Sequence, residues 1–295
     1  MRPRKYREAA LPDFPIVDAH VHLYDPEYLT YPWMKGAPLL NKLHDTAYYS
    51  ERSAPVKIDK LVFVEVDVAD GSQVEEARWV EDQAKSDSRV QGLVVSAPLE
   101  RGPAAVEADI AAMARLPHVR AVRRLIQDHV AEPGWCLRPD FVEAVKLLPR
   151  YGLGFDICIY HPQMRDAIEL VSRCPEVSFI LDHIGKPGIK AGTREPWWQE
   201  IAEMAQLPNV VCKISGVVTE ADHQSWTYDQ IAPYVSRVLE VFGFGRCAFG
   251  SDWPVSEQAT TYADWVAVVD RITAGASRAE LEGLYRDTAT RFYRL

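Results

Sequence analysis

Long apolar runs are missing from this sequence: nothing approaches the ~18 consecutive apolar residues of a membrane-spanning helix. The N-terminal stretch MRPRKYREAALPDFP is charged and has no apolar core, which is not the pattern of a secretory signal. Cysteine is scarce, with five residues, no C-x-x-C pair and no zinc-ribbon spacing, and an odd number argues against a complete disulfide framework. Cys158, Cys212 and Cys247 lie in apolar, strand-like runs, where a thiol behaves as a small hydrophobe. These absences imply a cytoplasmic protein. Surplus positive charge is also lacking. The formal net charge is −9, so the surface repels phosphate backbones and offers no attraction to nucleic acid or to an anionic membrane. Any cation that meets an anionic substrate must be local, inside a pocket.

What is present is the ordinary composition of a globular chain: 295 residues, 47% hydrophobic and 25% charged. Short β-rich runs recur at 16–23, 61–68, 90–99, 119–127, 153–159, 177–184, 209–217 and 246–252. Their starts span 230 residues in seven steps (246 − 16), or about 33 residues per step, the length of a βαβ unit. Most are nearly continuous apolar runs, as parallel strands buried on both faces require. Helix-like segments fill the gaps at 73–85, 103–115, 140–150, 163–173, 197–206 and 228–242, and another closes the chain at 280–293. The alternation predicts an α/β fold, a (β/α)8 TIM barrel, with residues 1–295 forming one domain. The first crossover, 24–60, is rich in Tyr, Pro, Trp and Leu and reads as an active-site loop rather than a plain helix.

In such a barrel catalytic groups gather at the C-terminal ends of the strands. In the first run, IVDAHVHL, a period of two places Asp18, His20 and His22 on one face. Two imidazoles two residues apart can then reach one metal or one carbonyl. A lone buried histidine is usually only a hydrogen-bonded core residue, but a His-x-His pair ending a buried strand reads as functional. His183 stands at the end of the sixth run, just before a Gly/Pro turn, with Asp182 and Lys186 as helix-capping alternatives. Asp252 follows a Gly-Ser pair in the eighth, where a carboxylate suits a general base or a metal ligand; its bland alternative is a helix N-cap. The fourth run carries Arg123 and Arg124, which face opposite ways, so one points into the barrel mouth and the other serves an ion pair. His161 beyond the fifth run is a substrate or metal contact or a simple loop histidine. Ser215 in the seventh is a candidate hydroxyl partner, and Glu65 in the second is a candidate inward polar group.

Taken together, VDAHVHL at 17–23, YPW at 31–33, VRRLIQ at 122–127, FDICI at 155–159, LDHIGKP at 181–187, CKISG at 212–216, FGSDWPV at 249–255 and RFYRL at 291–295 resemble the amidohydrolase superfamily. The likeness is to the amidohydrolase 2 branch with sugar lactonases such as L-fuconolactonase and L-rhamnonolactonase, and dicarboxylate lactonases. It runs colinearly along essentially the whole chain. One departure is Thr288-Ala289, where relatives often carry Asn-Ala, which bears only on a peripheral structural contact.

The resemblance implies that His20, His22, His183 and Asp252 form the site and that Arg123 or Arg124 contacts the substrate. His161, Trp33 and Glu65 join them as substrate-binding candidates, and Trp33 and Tyr24 are placed to stack on a sugar face unless they only pack. Two-metal members of the superfamily bridge their ions with a carboxylated lysine on the fourth strand, and none falls here. The expectation is therefore one Zn²⁺ held by His20, His22 and Asp252, with metal-free catalysis as the alternative and no organic cofactor. The implied partner is a small-molecule sugar lactone, opened to its aldonic acid by water that Asp252 activates; assembly into a homo-oligomer is left open. The rival is a zinc-dependent decarboxylase of an aromatic or muconate-like acid. A non-catalytic binding barrel is the third reading, and so many buried ionisable groups at strand ends argue against it.

Overall fold

The computed structural model describes residues 11–295, so the first ten residues of the segment compared with a secretory signal lie outside it. Eight parallel strands pair in sequence order. They are β1 (Ile16–Val21), β2 (Ile58–Val64), β3 (Val90–Ser96), β4 (Val119–Leu125), β5 (Gly154–Cys158), β6 (Phe179–Leu181), β7 (Val210–Ile214) and β8 (Cys247–Phe249). The seam between β8 and β1 is drawn together just past the strand end, where Val21 bridges Trp253 in parallel. There the Asp252 amide donates to the His20 carbonyl (2.9 Å) and the His22 amide to that of Trp253 (2.8 Å). The fold is the expected (β/α)8 TIM barrel.

Helices α1 (Thr46–Ser53), α2 (Gln73–Ser86), α3 (Pro103–Met113), α4 (Pro139–Leu147), α5 (Met164–Arg173), α6 (Trp197–Met204), α7 (Tyr228–Phe242) and α8 (Tyr262–Ile272) cover the outside, and α9 (Arg278–Glu282) and α10 (Thr288–Tyr293) follow them. Two differ from the expectation. The first crossover contains α1 as well as a long loop, and α8 lies in a stretch where no helix was expected. The expected closing helix 280–293 is α9 and α10 joined through a π-helical turn, Gly283–Asp287.

The large core lies between strands and helices. A smaller one fills the barrel itself with Val17, Ala19, Val62, Val64, Val94, Ala121, Ile180 and Ala248, and α10 plugs its lower end with Ala289 and Tyr293. Thr288, at the departure from the family pattern, is fully buried and reaches the Phe244 carbonyl.

The pairing of β1 with β2 is irregular at two places, and the second bears on the site. Asp18 pairs with Leu61 but Val21 with Phe63, so β1 carries an extra residue, a bulge that re-aims the side chains beyond it. Asp18 therefore does not share a face with the two histidines. It points outward, accepting from Tyr49 of α1 (3.0 Å), Tyr262 of α8 (2.9 Å) and the Ser251 amide (2.8 Å). Its role is to lock β1 to its covering helices and to the β8 seam.

Candidate active site

Strands β6 and β8 stop early because the chain turns sharply at their mouth ends. His183, Ile184 and Lys186 follow β6 with φ of 53°, 52° and 47°, and Asp252 follows β8 with φ of 58°. Asp67, beyond β2, has φ of 51°. Left-handed backbone is costly for side chains of this size and collects at functional sites. Among the described non-glycine residues, Arg294 alone has positive φ elsewhere.

These turns bring His20, His22, His183 and Asp252 together. All four are buried, none above 6% exposure. The His20 and His22 Nε2 atoms are 3.2 Å apart, and Asp252 Oδ1 lies 3.7 and 3.4 Å from them. The His20 and His183 rings are 4.5 Å apart, and Ser215 Oγ is 3.0 Å from His183 Nδ1. Burial alone would raise the Asp252 carboxyl; His183, His22 and Lys186 outweigh it and hold it below the usual carboxylate value. Burial lowers His183 to about 4 and pushes His20 well below the ordinary imidazole value, with Lys213 adding to the latter. The centre thus sets an ionised carboxylate beside two imidazoles, His20 and His183, that burial holds neutral.

A cavity of about 290 Å³ opens above it. His22, His183 and Asp252 form one end; Tyr24, Trp33, Val66, Leu125 and Val255 give apolar wall, and Asp67, Arg123, Gln127, Asp128, Lys186 and Thr219 give polar wall. The first crossover supplies Tyr24 and Trp33, with Trp33 pinned by its indole N–H to the Val66 carbonyl (2.8 Å).

The two arginines separate as strand geometry requires. Arg123 faces the cavity and is held by Glu65, through Nε to Oε1 (2.6 Å) and Nη2 to the Glu65 carbonyl (2.7 Å). Arg124 faces away and forms a two-point pair with Glu100 (3.0 and 2.7 Å), so its guanidinium is not part of the cavity wall. Glu65 stands behind Arg123 rather than at the wall. His161 lines a separate shallow cavity with Tyr160, Lys190 and Glu220, joined to the first through Lys186.

Sequence reasoning missed a buried ionic cluster beneath the histidines. Lys213 on β7 hydrogen-bonds to Asp156 Oδ2 (2.6 Å) and His20 Nδ1 (3.2 Å), and pairs with Asp182 Oδ1 at 2.9 Å. Tyr293 of α10 donates to Asp156 (2.7 Å), so the barrel plug reaches the site. The available signal was a lysine and an aspartate embedded in otherwise apolar strands.

His20, His22 and Asp252 offer ligand atoms within 4.8 Å of one another, and two imidazole nitrogens with a carboxylate suit one divalent ion. His22 strengthens the fit: its Nδ1–H is taken by the Val64 carbonyl (2.8 Å), which turns the Nε2 lone pair toward the cluster.

The model of the amidohydrolase family, Amidohydro_2, matches residues 17–295, and the chain belongs to that family of barrel enzymes as a hydrolytic member. Among its relatives, an L-fucono-1,5-lactonase of Burkholderia ambifaria is 33% identical over 75% of this chain and 76% of its own length. Another L-fucono-1,5-lactonase, from Burkholderia multivorans, is 28% identical over 95% and 96%. The crystal structure of a Burkholderia multivorans amidohydrolase with bound zinc superposes with a TM-score of 0.85 at 27% identity, covering 96% of this chain and all of the other (100%).

Proposed function

We propose that this enzyme opens a sugar lactone of the L-fuconolactone kind to its aldonic acid, using water activated by Asp252. The observation that carries the reading is Asp252 itself: an ionised carboxylate 3.4 Å from His22 Nε2, at the closed end of a cavity sized for a small molecule. The two lactonase relatives support the substrate class.

In this reading the lactone carbonyl oxygen faces His183, which lines the cavity beside Asp252. Asp252 takes a proton from a water, which attacks the carbonyl carbon. Neutral imidazoles in a preorganised, poorly hydrated site stabilise the developing oxyanion. Collapse breaks the bond from the carbonyl carbon to the ring oxygen, which receives the proton held on Asp252. Arg123 and Lys186 position the substrate's oxygens, and Trp33 and Tyr24 cover its apolar face. Zinc held by His20, His22 and Asp252 would add polarisation of the carbonyl. The fully buried and free cysteines are in keeping with a cytoplasmic enzyme.

Local charge favours a neutral lactone over the acid that a decarboxylase takes. Asp67, Asp128 and Asp252 line the cavity against Arg123 and Lys186, and buried Glu65 already neutralises Arg123. Burial and Glu65 push the Asp67 carboxyl up to about 6, so the wall resists further negative charge.

The test is acid production, followed with a pH indicator, on a panel of 1,4- and 1,5-aldonolactones and muconolactone-type compounds. Rapid acid release from one stereochemical subset supports the reading. A silent panel with folded, zinc-supplied protein, and CO2 release from an aromatic acid, would replace it with the decarboxylase.

A further inference from the structure

One buried carboxylate behind the cavity wall holds two groups at once. Glu65 Oε1 accepts from Arg123 Nε (2.6 Å), and Glu65 Oε2 accepts from the Asp67 amide (2.7 Å). Glu65 is 1% exposed, so both contacts are shielded from water. The residue between is pinned as well: the Val66 carbonyl accepts from the Trp33 indole (2.8 Å), and the Val66 amide donates to Glu76 Oε1 (3.3 Å). This clamping keeps Asp67 in left-handed backbone, with φ of 51°, a conformation that persists only where the surroundings impose it.

The Asp67 side chain takes no part in that clamp. It is half-buried, lines the cavity, and its carboxylate has no hydrogen-bond or ion-pair partner among the described residues. Arg123, on the same cavity wall, has five N–H groups, of which three meet Glu65 and Asp182, so others remain for a ligand. The wall therefore presents a fixed acceptor and a fixed donor. Charge decides what they can hold. A cation there meets Arg123 and Lys186, and an anion meets Asp67, Asp128 and Asp252. A neutral hydroxyl avoids both penalties, since it gives a proton to the carboxylate and accepts one from the guanidinium.

We propose that Asp67 is a specificity-determining residue whose carboxylate accepts a hydrogen bond from a ring hydroxyl of the substrate, with Arg123 donating to a substrate oxygen, so that the enzyme selects hydroxylated lactones over unsubstituted ones. A lactone without hydroxyls would cover both groups and pair neither, the case that polar sites discriminate against most strongly. The rigid hold of Glu65 on both partners lowers the cost of ordering them when the ligand binds. The proposal rests on the lactonase reading for the reacting group, but the hydroxyl contact can be measured without turnover.

The probes are two lactams, whose ring nitrogen resists opening: the 1,5-lactam with the hydroxyls of L-fuconolactone, and δ-valerolactam, the same ring without them. Asp67→Gly removes the carboxylate at a φ that glycine adopts freely. Calorimetry is run at neutral pH or above, where Asp67, raised to about 6, is ionised. The variant is expected to bind the hydroxylated lactam ~10–100-fold more weakly than wild type, the worth of a hydrogen bond to a charged acceptor, and δ-valerolactam equally well. On the corresponding lactones the loss is expected in KM rather than kcat. Unchanged binding of the hydroxylated lactam, or an equal loss on both lactams, overturns the proposal, as does a wild type that binds no hydroxylated lactam. Should Asp67→Gly fail to fold, Asp67→Asn keeps a neutral acceptor and is expected to lose ~5–10-fold on the hydroxylated lactam alone; no loss there overturns the proposal. Selective binding without acid release from any lactone would sink the lactonase reading and leave the hydroxyl contact standing, so the two failures are told apart.

Discussion

The Asp252 amide donates to the His20 carbonyl at 2.9 Å, across the seam where the last strand of the barrel meets the first. The contact that draws the barrel closed therefore sets the spacing between carboxylate and imidazole. A residue that disturbs this seam is expected to act on chemistry and stability together.

Gly250 is the sharpest case. A Cβ added there would lie 2.8 Å from the His20 Cβ and 3.0 Å from that of Ser215. Neither neighbour is a flexible tip, so Gly250→Ala is expected to lower the thermal midpoint and to abolish turnover. Scanning calorimetry beside an activity assay checks both, and an active variant with wild-type stability would mean that the seam is not tightly packed.

Gly216 lies against the catalytic groups themselves. Its φ is 59°, and a Cβ would come within 2.5 Å of His183 Nδ1 and 2.8 Å of Asp252 Oδ2. Gly216→Ala is expected to displace those two groups and to reduce kcat at least ~10²-fold, the scale of losing one oxyanion donor. Steady-state kinetics on the preferred substrate gives the answer.

Arg123 and Glu65 form a buried pair at 2.6 Å, with Asp182 a looser second partner at 3.5 Å. Glu65→Leu leaves the guanidinium without its main counter-charge. Breaking such a pair typically costs ~3–5 kcal/mol, and urea unfolding is expected to show a loss of that order. A change below ~1 kcal/mol would mean that Asp182 compensates.

Asp67 supplies a pH signature. Burial and Glu65 raise its folded value to about 6 from an ordinary 3.8. Its folded form binds more protons than the unfolded chain between those values, so the contribution of Asp67 to stability is lost as pH rises through about 6. Asp67→Asn cannot ionise. Its stability relative to wild type is expected to increase from pH 4 to 7 and then level off. A difference independent of pH would contradict the raised carboxyl.

Much of this was legible in the sequence because polar residues at the ends of apolar strands are costly and periodic. His20, His22, His183 and Asp252 stood out for that reason, and the barrel followed from the even spacing of strands. The fate of Asp18 was not legible: a one-residue bulge in β1 reverses its face, and period-two reasoning assumes no bulge. Nor was the link between Lys213 and Asp156. It depends on which inward positions of β5 and β7 lie level inside the closed barrel, information carried by register rather than by local pattern. The left-handed backbone at His183, Lys186 and Asp252 was equally hidden, since side chains of this size rarely adopt it and the neighbouring glycines signal only a turn. Helix α8 was masked by Val266, Val268 and Val269, β-branched residues that favour strands, although Thr261 caps it by accepting from the Asp264 amide.

Asp252→Asn compared with wild type tests the central claim most directly. The measurement is kcat/KM from proton release on the best lactone of the panel, with circular dichroism as the control for folding. Loss of the base is expected to lower kcat/KM by ~10³-fold or more without changing the fold. A folded variant that keeps more than about a tenth of wild-type activity would contradict the assignment of Asp252 as the group that activates water.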